Sequence, residues 1–261
     1  MVTAIVQARM GSTRLPGKVL LDIQGKPLLQ HVIERVSQSK FIERIIIATT
    51  TDKKDEAIVK FAETRRLPYY RGSEDDVLDR FYQAAKQYRV TTIVRITPDD
   101  PFKDPAVIDR VIGCYMTNRD AVDYVSNTIK PTYPEGLDIE VFSFQALETA
   151  WREARKPSER EHVTPYIWGH PELFRLVNIE NEEDLSQLRW TLDTEADLQF
   201  ARAIYARLYH GQVFLMKEIL ALLQREPQLV LINSGTARNA GYLKSLEQDK
   251  NQSSSTQLHK N

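Results

Sequence analysis

The first 126 residues alternate short apolar runs with segments in which apolar side chains recur every three or four positions. The run Ile45-Ile46-Ile47-Ala48 is apolar at consecutive positions, which is typical of a strand buried on both faces. The pattern predicts strands at 2–8, 44–50, 68–71, 92–97 and 122–126, with helices at about 27–39, 53–65, 75–89 and 105–117. This alternation predicts an α/β fold with a mostly parallel sheet, helices on both faces and right-handed crossovers.

The second half is less regular. Residues 137–142 alternate apolar and acidic side chains, which predicts a strand with one exposed face. Further strands are predicted at 173–179 and 188–192, and helices at about 144–155, 158–168 (capped by Ser158), 195–209 and 216–224. Residues 245–261 have almost no apolar side chains and predict a disordered tail. We therefore expect a single domain over residues 1–244 with a small strand-containing insertion.

Composition excludes more functions than it suggests. The 35 Lys and Arg residues nearly balance the 36 Asp and Glu residues, so a nucleic-acid-binding surface is not expected and any anion site must be local. No apolar stretch approaches the length of a membrane span, and the N-terminus lacks the pattern of a signal peptide. The single cysteine, Cys114, cannot form an internal disulfide and fits a helix face in the core of a cytoplasmic protein.

The most informative segment spans residues 7–18 and reads Gln-Ala-Arg-Met-Gly-Ser-Thr-Arg-Leu-Pro-Gly-Lys. It follows the first predicted strand, and ligands of such sheets bind beyond the carboxyl ends of the strands. Its two glycines let the backbone turn and present N–H groups to an anion. Its three cations, Arg9, Arg14 and Lys18, suit a triphosphate and a departing pyrophosphate. The P-loop and GxGxxG patterns are absent, and the alternative is a solvated basic loop with ordinary turn glycines.

Two acidic positions also follow predicted strands. Asp99 and Asp100 come after the strand at 92–97, and Asp193 comes after the strand at 188–192. Mg²⁺ prefers oxygen ligands and often takes only one or two carboxylates, so Asp99 and Asp193 are candidate ligands of one metal site. The alternatives are structural, because Asp-Pro clusters mark turns and Thr194 with Asp197 resembles a helix capping box.

Residues 9–18, Arg-Met-Gly-Ser-Thr-Arg-Leu-Pro-Gly-Lys, resemble the signature of the cytidylyltransferases that activate acidic sugars. These include the 3-deoxy-octulosonate and acylneuraminate enzymes, and the best match is to the branch called spore coat polysaccharide biosynthesis protein F. The resemblance implies a fold of the glycosyltransferase-A type, CTP and magnesium as cosubstrates and a CMP-linked product. It implies that the loop wraps the triphosphate, with these residues as catalytic or substrate-binding groups: Ala8, Arg9, Gly11, Ser12, Arg14 and Lys18.

The resemblance extends to other segments. The family pattern Gly-Asp-x-Pro matches at Asp99–Pro101, which implies Asp99 as a metal ligand and catalytic group, with Asp100 at the substrate. Pro98 stands where the family usually has glycine, and this departure is expected to change how the backbone approaches the nucleotide, although the carboxylate is retained. The segment Leu-Asp-Thr-x-x-Asp-Leu at 192–198 matches as well and implies Asp193 as the second metal ligand.

The base and the acceptor are assigned by the same resemblance. Residues 70–80 resemble the segment that borders the nucleobase, and Arg71 and Ser73 are expected there. Residues 127–180 cover the region that binds the acceptor or forms a dimer in related enzymes. Arg160 and His162 are the best side chains for an acidic acceptor group, and His162 could also relay a proton; an ordinary surface histidine is the alternative.

Together these features predict a Mg²⁺-dependent cytidylyltransferase that transfers CMP from CTP to a small acidic acceptor and releases pyrophosphate. The enzyme is expected to be a cytoplasmic homodimer without nucleic-acid or membrane partners. Two other functions stay open from the sequence. One is a glycosyltransferase that uses a nucleotide sugar, although the Asp-x-Asp motif of such enzymes is absent. The other is a non-catalytic nucleotide-binding module.

Overall fold

A computed structural model describes residues 1–236 and 238–258 of the chain. At its centre is a seven-stranded sheet with the strand order β5-β4-β1-β6-β8-β7-β9, beside a separate two-stranded hairpin of β2 and β3. The strands are β1 (Val2–Gln7), β2 (Asp22–Ile23), β3 (Lys26–Pro27), β4 (Arg44–Thr50), β5 (Tyr69–Gly72), β6 (Thr92–Ile96), β7 (Tyr124–Ser126), β8 (Glu140–Ser143) and β9 (Leu176–Asn178). The five strands predicted for the first half are confirmed.

Ten α-helices surround the sheet within the described part of the chain. They are α1 (Leu28–Val36), α2 (Glu56–Thr64), α3 (Val77–Gln87), α4 (Pro105–Thr117), α5 (Phe144–Glu153), α6 (Pro157–His162), α7 (Pro165–Gly169), α8 (Glu195–Leu208), α9 (Met216–Arg225) and α10 (Ala240–Leu258). Helix α4 has the predicted bounds, because Asp104 caps it by accepting from the Ala106 amide and Pro105 starts it. No described helix is long and apolar enough to cross a membrane.

Both faces of the sheet are covered by apolar side chains. Strands β5, β4, β1 and β6 are parallel, whereas β8 runs antiparallel to both β6 and β7. Successive residues of β1 enter opposite cores: Ala4 and Val6 pack on one face and Ile5 on the other. The predicted α/β class with a mostly parallel sheet is therefore confirmed, and the carboxyl ends of β1, β4, β5 and β6 meet at one edge of the sheet.

Strand β8 differs from the sequence-based expectation. Residues 137–142 were expected to expose one face, but Val141 and Phe142 are completely buried in opposite cores. The acidic position Glu140 is also buried, because Arg95 of the neighbouring strand pairs with it. This strand therefore has both faces covered and no exposed face of the kind that the alternation predicts.

Two further elements differ from the pattern. The expected helix at 158–168 is divided into α6 and α7, because Val163 between them adopts a positive φ of 73°. Ser158 is not its cap; its hydroxyl donates to Asp249 over 2.5 Å. The expected strand at 188–192 forms only a single bridge between Glu135 and Arg189.

The C-terminal region also departs from the expectation of a tail without structure from residue 245 onward. The 3-10 segment Pro227–Asn233 follows α9, and helix α10 then continues to Leu258. Ser245 and Asp249 of this helix hydrogen-bond to α6, which explains why a sequence poor in apolar residues is held against the domain. Residues 259–261 of the expected tail lie outside the described residues.

Candidate active site

Two adjoining cavities open at the carboxyl edge of the parallel strands. The loop lobe, of about 450 Å³, is lined by the segment after β1, by Arg80 of α3 and by α10. The sheet lobe, of about 360 Å³, is lined by Arg95 of β6, Glu140 of β8 and Trp168 of α7. The lobes form one cleft, because the following residues line both: Arg14, Thr97, Asp99, His162, Asp193, Ala240 and Gly241.

The segment after β1 is curled by its own backbone. The Met10 carbonyl accepts hydrogen bonds from the amides of Ser12 at 3.0 Å and Gly17 at 3.1 Å. Gly17 has a φ of 69°, in the left-handed region that favours glycine. The amides of Gly11, Thr13 and Arg14 have no acceptor among the described residues. Of these three residues, Thr13 and Arg14 line the loop lobe, where backbone amides are suited to bind an anion.

Lys18 joins the loop to both predicted aspartates. Its Nζ lies 2.5 Å from Asp99 Oδ2 and 2.7 Å from Asp193 Oδ1. Arg14 Nη2 reaches the same Asp193 oxygen at 2.9 Å. Burial lowers the pKa of Lys18, but the two carboxylates outweigh burial and hold this pKa above its ordinary value. The structure thus brings together four of the sequence-predicted residues, from segments far apart in the chain.

Asp193 is held in place by the turn that follows it. Arg189 contacts Asp193 Oδ2 at 3.2 Å and Asp197 Oδ1 at 2.9 Å. Asp197 in turn accepts from the backbone amides of Asp193 and Thr194. The capping box considered in the sequence is therefore present, and it positions the Asp193 carboxylate toward Lys18. The structural and the functional interpretations of this segment are compatible.

The donor set fits magnesium. Asp99 and Asp193 each place a carboxylate oxygen on Lys18 Nζ, so the two groups lie side by side, and their side chains are 21% and 15% exposed. Among residues 1–236 and 238–258, no group of three or more His, Cys, Asp or Glu side chains could form a complete metal cage. Mg²⁺ usually takes one or two carboxylates and completes its coordination with water and substrate phosphates. These two residues could hold such an ion together with a nucleotide.

Every described carboxylate that lines the sheet lobe has a cationic partner. Glu140 pairs with Arg95 and accepts from Tyr124 and Thr164. Burial raises the pKa of Glu140, but Arg95 and these hydroxyls lower it below its ordinary value. Three more pairs are Asp138 with Arg238 at 2.6 Å, Asp100 with Lys103 at 2.8 Å and Glu135 with Arg189 at 2.7 Å. One wall is apolar and is formed by Ile129, Pro165, Trp168 and Tyr242.

Three predicted binding residues do not reach the cleft. Arg71 pairs with Glu56 at 2.8 Å and donates to two backbone carbonyls. The Ser73 hydroxyl accepts from the Asp76 amide within its own turn. Arg160 pairs with Asp76 at 2.5 Å and lines a separate depression beside Trp151. Local ion pairs and turn geometry, which the sequence pattern does not show, turn these side chains away.

His162 lines both lobes, and the fold shifts its pKa away from the value of an ordinary histidine. Its Nε2 lies 2.9 Å from Ser245 Oγ. Burial lowers the pKa of His162 to about 4, so the imidazole is neutral at pH 7. It therefore cannot attract an acidic acceptor by charge, although it can exchange hydrogen bonds.

The remaining predicted residues lie at or near the loop. Ala8, Arg9 and Ser12 line the loop lobe. Gly11 does not line the loop lobe. A Cβ at this position would lie 2.9 Å from Glu74 Oε1. Asp100 lines the sheet lobe, but Lys103 and Thr97 already occupy its Oδ2 atom.

Sequence reasoning missed several lining residues. Arg80, Arg95 and Glu140 are charged positions inside otherwise apolar patterns, and that mismatch was the available signal. Arg238 and the α10 residues gave no such signal, because they reach the cleft only through the docking of α10.

Comparison with known proteins shows the family of the chain. A sequence profile described as cytidylyltransferase matches residues 3–247. The chain belongs to the cytidylyltransferase family. This cytidylyltransferase is 34% identical over 230 residues to the spore coat polysaccharide biosynthesis protein SpsF of Bacillus subtilis, covering 85% of this chain and 94% of that protein. The resemblance stated from residues 9–18 is thus confirmed.

Two further proteins are similar to this cytidylyltransferase. A 3-deoxy-manno-octulosonate cytidylyltransferase of Geobacter sulfurreducens is 36% identical over 117 residues, covering 45% of this chain and 46% of that protein. The solved structure of a cytidylyltransferase from Leptospira borgpetersenii superposes with a TM-score of 0.85 at 31% identity. That superposition covers 90% of this chain and 98% of the other. The chain is therefore a nucleotidyltransferase in sequence and in fold.

Proposed function

We propose that this enzyme transfers CMP from CTP to an acidic sugar or a related acceptor, with Mg²⁺ and with release of pyrophosphate. The observation that carries the proposal is the convergence of Lys18 and Arg14 with Asp99 and Asp193 at the junction of the two lobes. The names of SpsF and of the octulosonate enzyme support a role in the synthesis of a polysaccharide or glycoconjugate.

In this mechanism the loop lobe holds the triphosphate and the sheet lobe holds the acceptor. An acceptor oxygen attacks the α-phosphorus of CTP, and the bond between the α-phosphorus and the pyrophosphate oxygen breaks. Mg²⁺, when bound by Asp99 and Asp193, supplies Lewis-acid polarisation of the phosphate oxygens. Arg9, Arg14 and Lys18 compensate the charge on the departing pyrophosphate. Most of the catalysis is then positioning and electrostatic stabilisation.

The acid group of the acceptor is assigned to Arg238. Arg160 is turned away and His162 is neutral, so neither supplies the cation that the sequence suggested. Arg238 lines the sheet lobe, and its Nη2 would exchange its present partner Asp138, at 2.6 Å, for the acid group of the acceptor. Neutral His162 would hold the acceptor by a hydrogen bond. A homodimer and a cytoplasmic location remain predictions from the sequence.

The proposal is tested by pyrophosphate release. Purified enzyme with MgCl₂ is offered each of the four nucleoside triphosphates together with 2-keto sugar acids, sugar phosphates or phosphonates. We expect release with CTP and an acidic acceptor, and none after EDTA treatment. Release of a nucleoside diphosphate from a nucleotide sugar would instead identify a glycosyltransferase.

The Asp99→Asn variant tests the assigned metal ligand. It removes a charge while keeping the side-chain shape, so kcat should fall by at least about 100-fold with little change in the melting temperature. Asp184→Asn, at an exposed carboxylate outside the cleft, is the matched control and should turn over normally. Near-normal turnover by Asp99→Asn would contradict the assignment.

A further inference from the structure

Arg80 is a buried arginine in the wall of the loop lobe. It belongs to the second turn of α3, and only 1% of its surface is exposed. Gly72 makes room for it, since a Cβ at that glycine would lie 3.2 Å from Arg80 Cγ and 2.8 Å from the Tyr70 ring. The segment 70–80 therefore contributes to the cleft through Val77 and Arg80, and not through Arg71 or Ser73.

The charge of Arg80 has no ion-pair partner among the described residues. Its Nη1 donates to the Ser73 carbonyl, and its Nε is buried without any hydrogen-bond partner there. Three carboxylates are near enough to act on it, but each has other partners. Asp55 accepts from Met10 and Thr50, Glu74 faces Arg9, and Asp76 is held by Arg160.

Unlike Arg80, the cations of the loop after β1 all lie within ion-pair distance of a carboxylate. Lys18 and Arg14 are paired with carboxylates, and Arg9 lies 3.7 Å from Glu74. Burial, followed by the charge of Arg9, lowers the pKa of Arg80 to about 10, so the group is still charged at neutral pH. A buried and uncompensated charge is destabilising unless an anion joins it. A guanidinium also matches phosphate oxygens well in geometry.

We propose that Arg80, together with Arg9, binds the pyrophosphate portion of the triphosphate in the loop lobe. The identity of the ligand as a triphosphate rests on the proposed function. The physical requirement is only for a compact polyanion between two arginines. Arg80 is then a binding residue. Its guanidinium is poorly solvated in the free enzyme and is already in place when the phosphate binds.

The test uses anions without a base. Inorganic pyrophosphate and tripolyphosphate, each with and without MgCl₂, are titrated calorimetrically into the full-length enzyme and its Arg80→Met and Arg80→Gln variants. We expect the dissociation constants to rise by about 10- to 100-fold, as for the loss of a charge-assisted contact. The melting temperature without ligand should stay equal or rise, because an unpaired buried charge has been removed.

Arg175→Met is the control, because Arg175 is an exposed arginine that is already paired with Asp123. This variant should bind both anions like the wild type. Wild-type affinity in either folded Arg80 variant would overturn the proposal. Failure of both variants to fold would overturn it too, since Arg80 would then be a structural residue.

The outcome is separable from that of the proposed function. If the Arg80 variants lose pyrophosphate binding while the wild type uses another nucleotide better than CTP, the arginine site stands and the cytidylyl proposal fails. If the wild type turns over CTP but the Arg80 variants bind pyrophosphate normally, the cytidylyl proposal stands and the arginine site fails.

Discussion

Charge compensation around single residues decides which side chains of this cytidylyltransferase are available to a ligand. Arg71 and Arg160 are conspicuous in the sequence, yet each is paired with a carboxylate outside the cleft. Arg80 is less conspicuous, and its guanidinium is uncompensated at the wall of the loop lobe. Lys18 lies between these cases, since its two carboxylate partners are themselves the assigned metal ligands.

The lowered pKa of His162 predicts how the free energy of unfolding changes at acidic pH. The pKa of His162 is about 4 in the folded protein, against about 6.5 for an unperturbed histidine. Between these values the unfolded chain binds a proton that the folded chain does not, so stability from this group is present above about pH 6.5 and is lost as the pH falls toward 4. The His162→Gln variant should therefore lose about 2 kcal/mol less stability than the wild type between pH 7 and pH 5.

The measurement is the free energy of unfolding in urea at both pH values. His31 is buried and also has a lowered pKa, but it is present in both proteins and its effect cancels in the comparison. Parallel losses of stability in the two proteins would show that His162 is not held neutral by the fold.

At the scale of elements, the segment that carries Asp193 is held by a close backbone approach. Gly136 has a φ of 106°, and a Cβ there would lie 2.8 Å from both the Thr191 nitrogen and the Trp190 carbonyl carbon. Backbone atoms cannot rotate away as a side chain can. The neighbouring bridge between Glu135 and Arg189 depends on this approach and positions the chain that leads to Asp193.

We predict that Gly136→Ala lowers the free energy of unfolding by about 2–4 kcal/mol and also reduces kcat. Gly211→Ala is the matched control, because Gly211 has a similar φ of 85° but nothing within 4 Å of its Cβ position. That control should lose only about 1 kcal/mol. Equal losses in the two variants would show that the close approach is unimportant.

A second prediction at the scale of elements concerns the contribution of helix α10 to the cleft. Its residues line both lobes, whereas neither apolar core contains any of its described residues. A chain that ends after residue 239 should still fold. Its far-ultraviolet circular dichroism should show the helix and strand content of the elements that remain. The KM for CTP and for the acceptor should rise about tenfold, because contacts such as Lys244 are lost. The control is a chain that ends after residue 251, because it keeps every described residue that lines the cleft. Equal KM values for the two truncated chains would contradict a role of α10 in substrate binding.

At the scale of the whole molecule, the parallel and antiparallel parts of the sheet meet at β6 and β8. Arg95 and Glu140 form a buried pair across this junction. Glu140 also accepts from Tyr124 of β7 and Thr164 near α7, so one carboxylate connects both parts of the fold. Removing one partner of such a pair leaves an uncompensated charge in the centre of the sheet.

We predict that Glu140→Met destabilises the protein by about 3–5 kcal/mol. The double variant Arg95→Met, Glu140→Met should be less destabilised, because no unpaired charge is left. Urea denaturation of the wild type, both single variants and the double variant gives the coupling energy of the pair. A coupling near zero would mean that solvent in the sheet lobe already screens the two charges.

The amino-acid sequence by itself determined the parallel half of the fold, the turn after β1 and the two aspartates that face it. Most of these features follow from local rules: apolar runs specify buried strands, glycine permits the left-handed turn at Gly17, and Asp99 stands at the carboxyl end of a strand. Asp193 follows only a single bridge, and its prediction depended on the family pattern at residues 192–198. The family resemblance at residues 9–18 depended on the same local segment.

Only the tertiary structure decided which charges are compensated, that β8 is interior and that α10 lines the cleft. Lys18 meets its partners 81 and 175 positions away along the chain, and Ser245 meets His162 across 83 positions. Periodicity describes how one segment faces the core, but charge pairing depends on which distant segments come into contact. Arg71 and Arg80 carry the same side chain, and only the folded environment separates the paired one from the one left for a ligand.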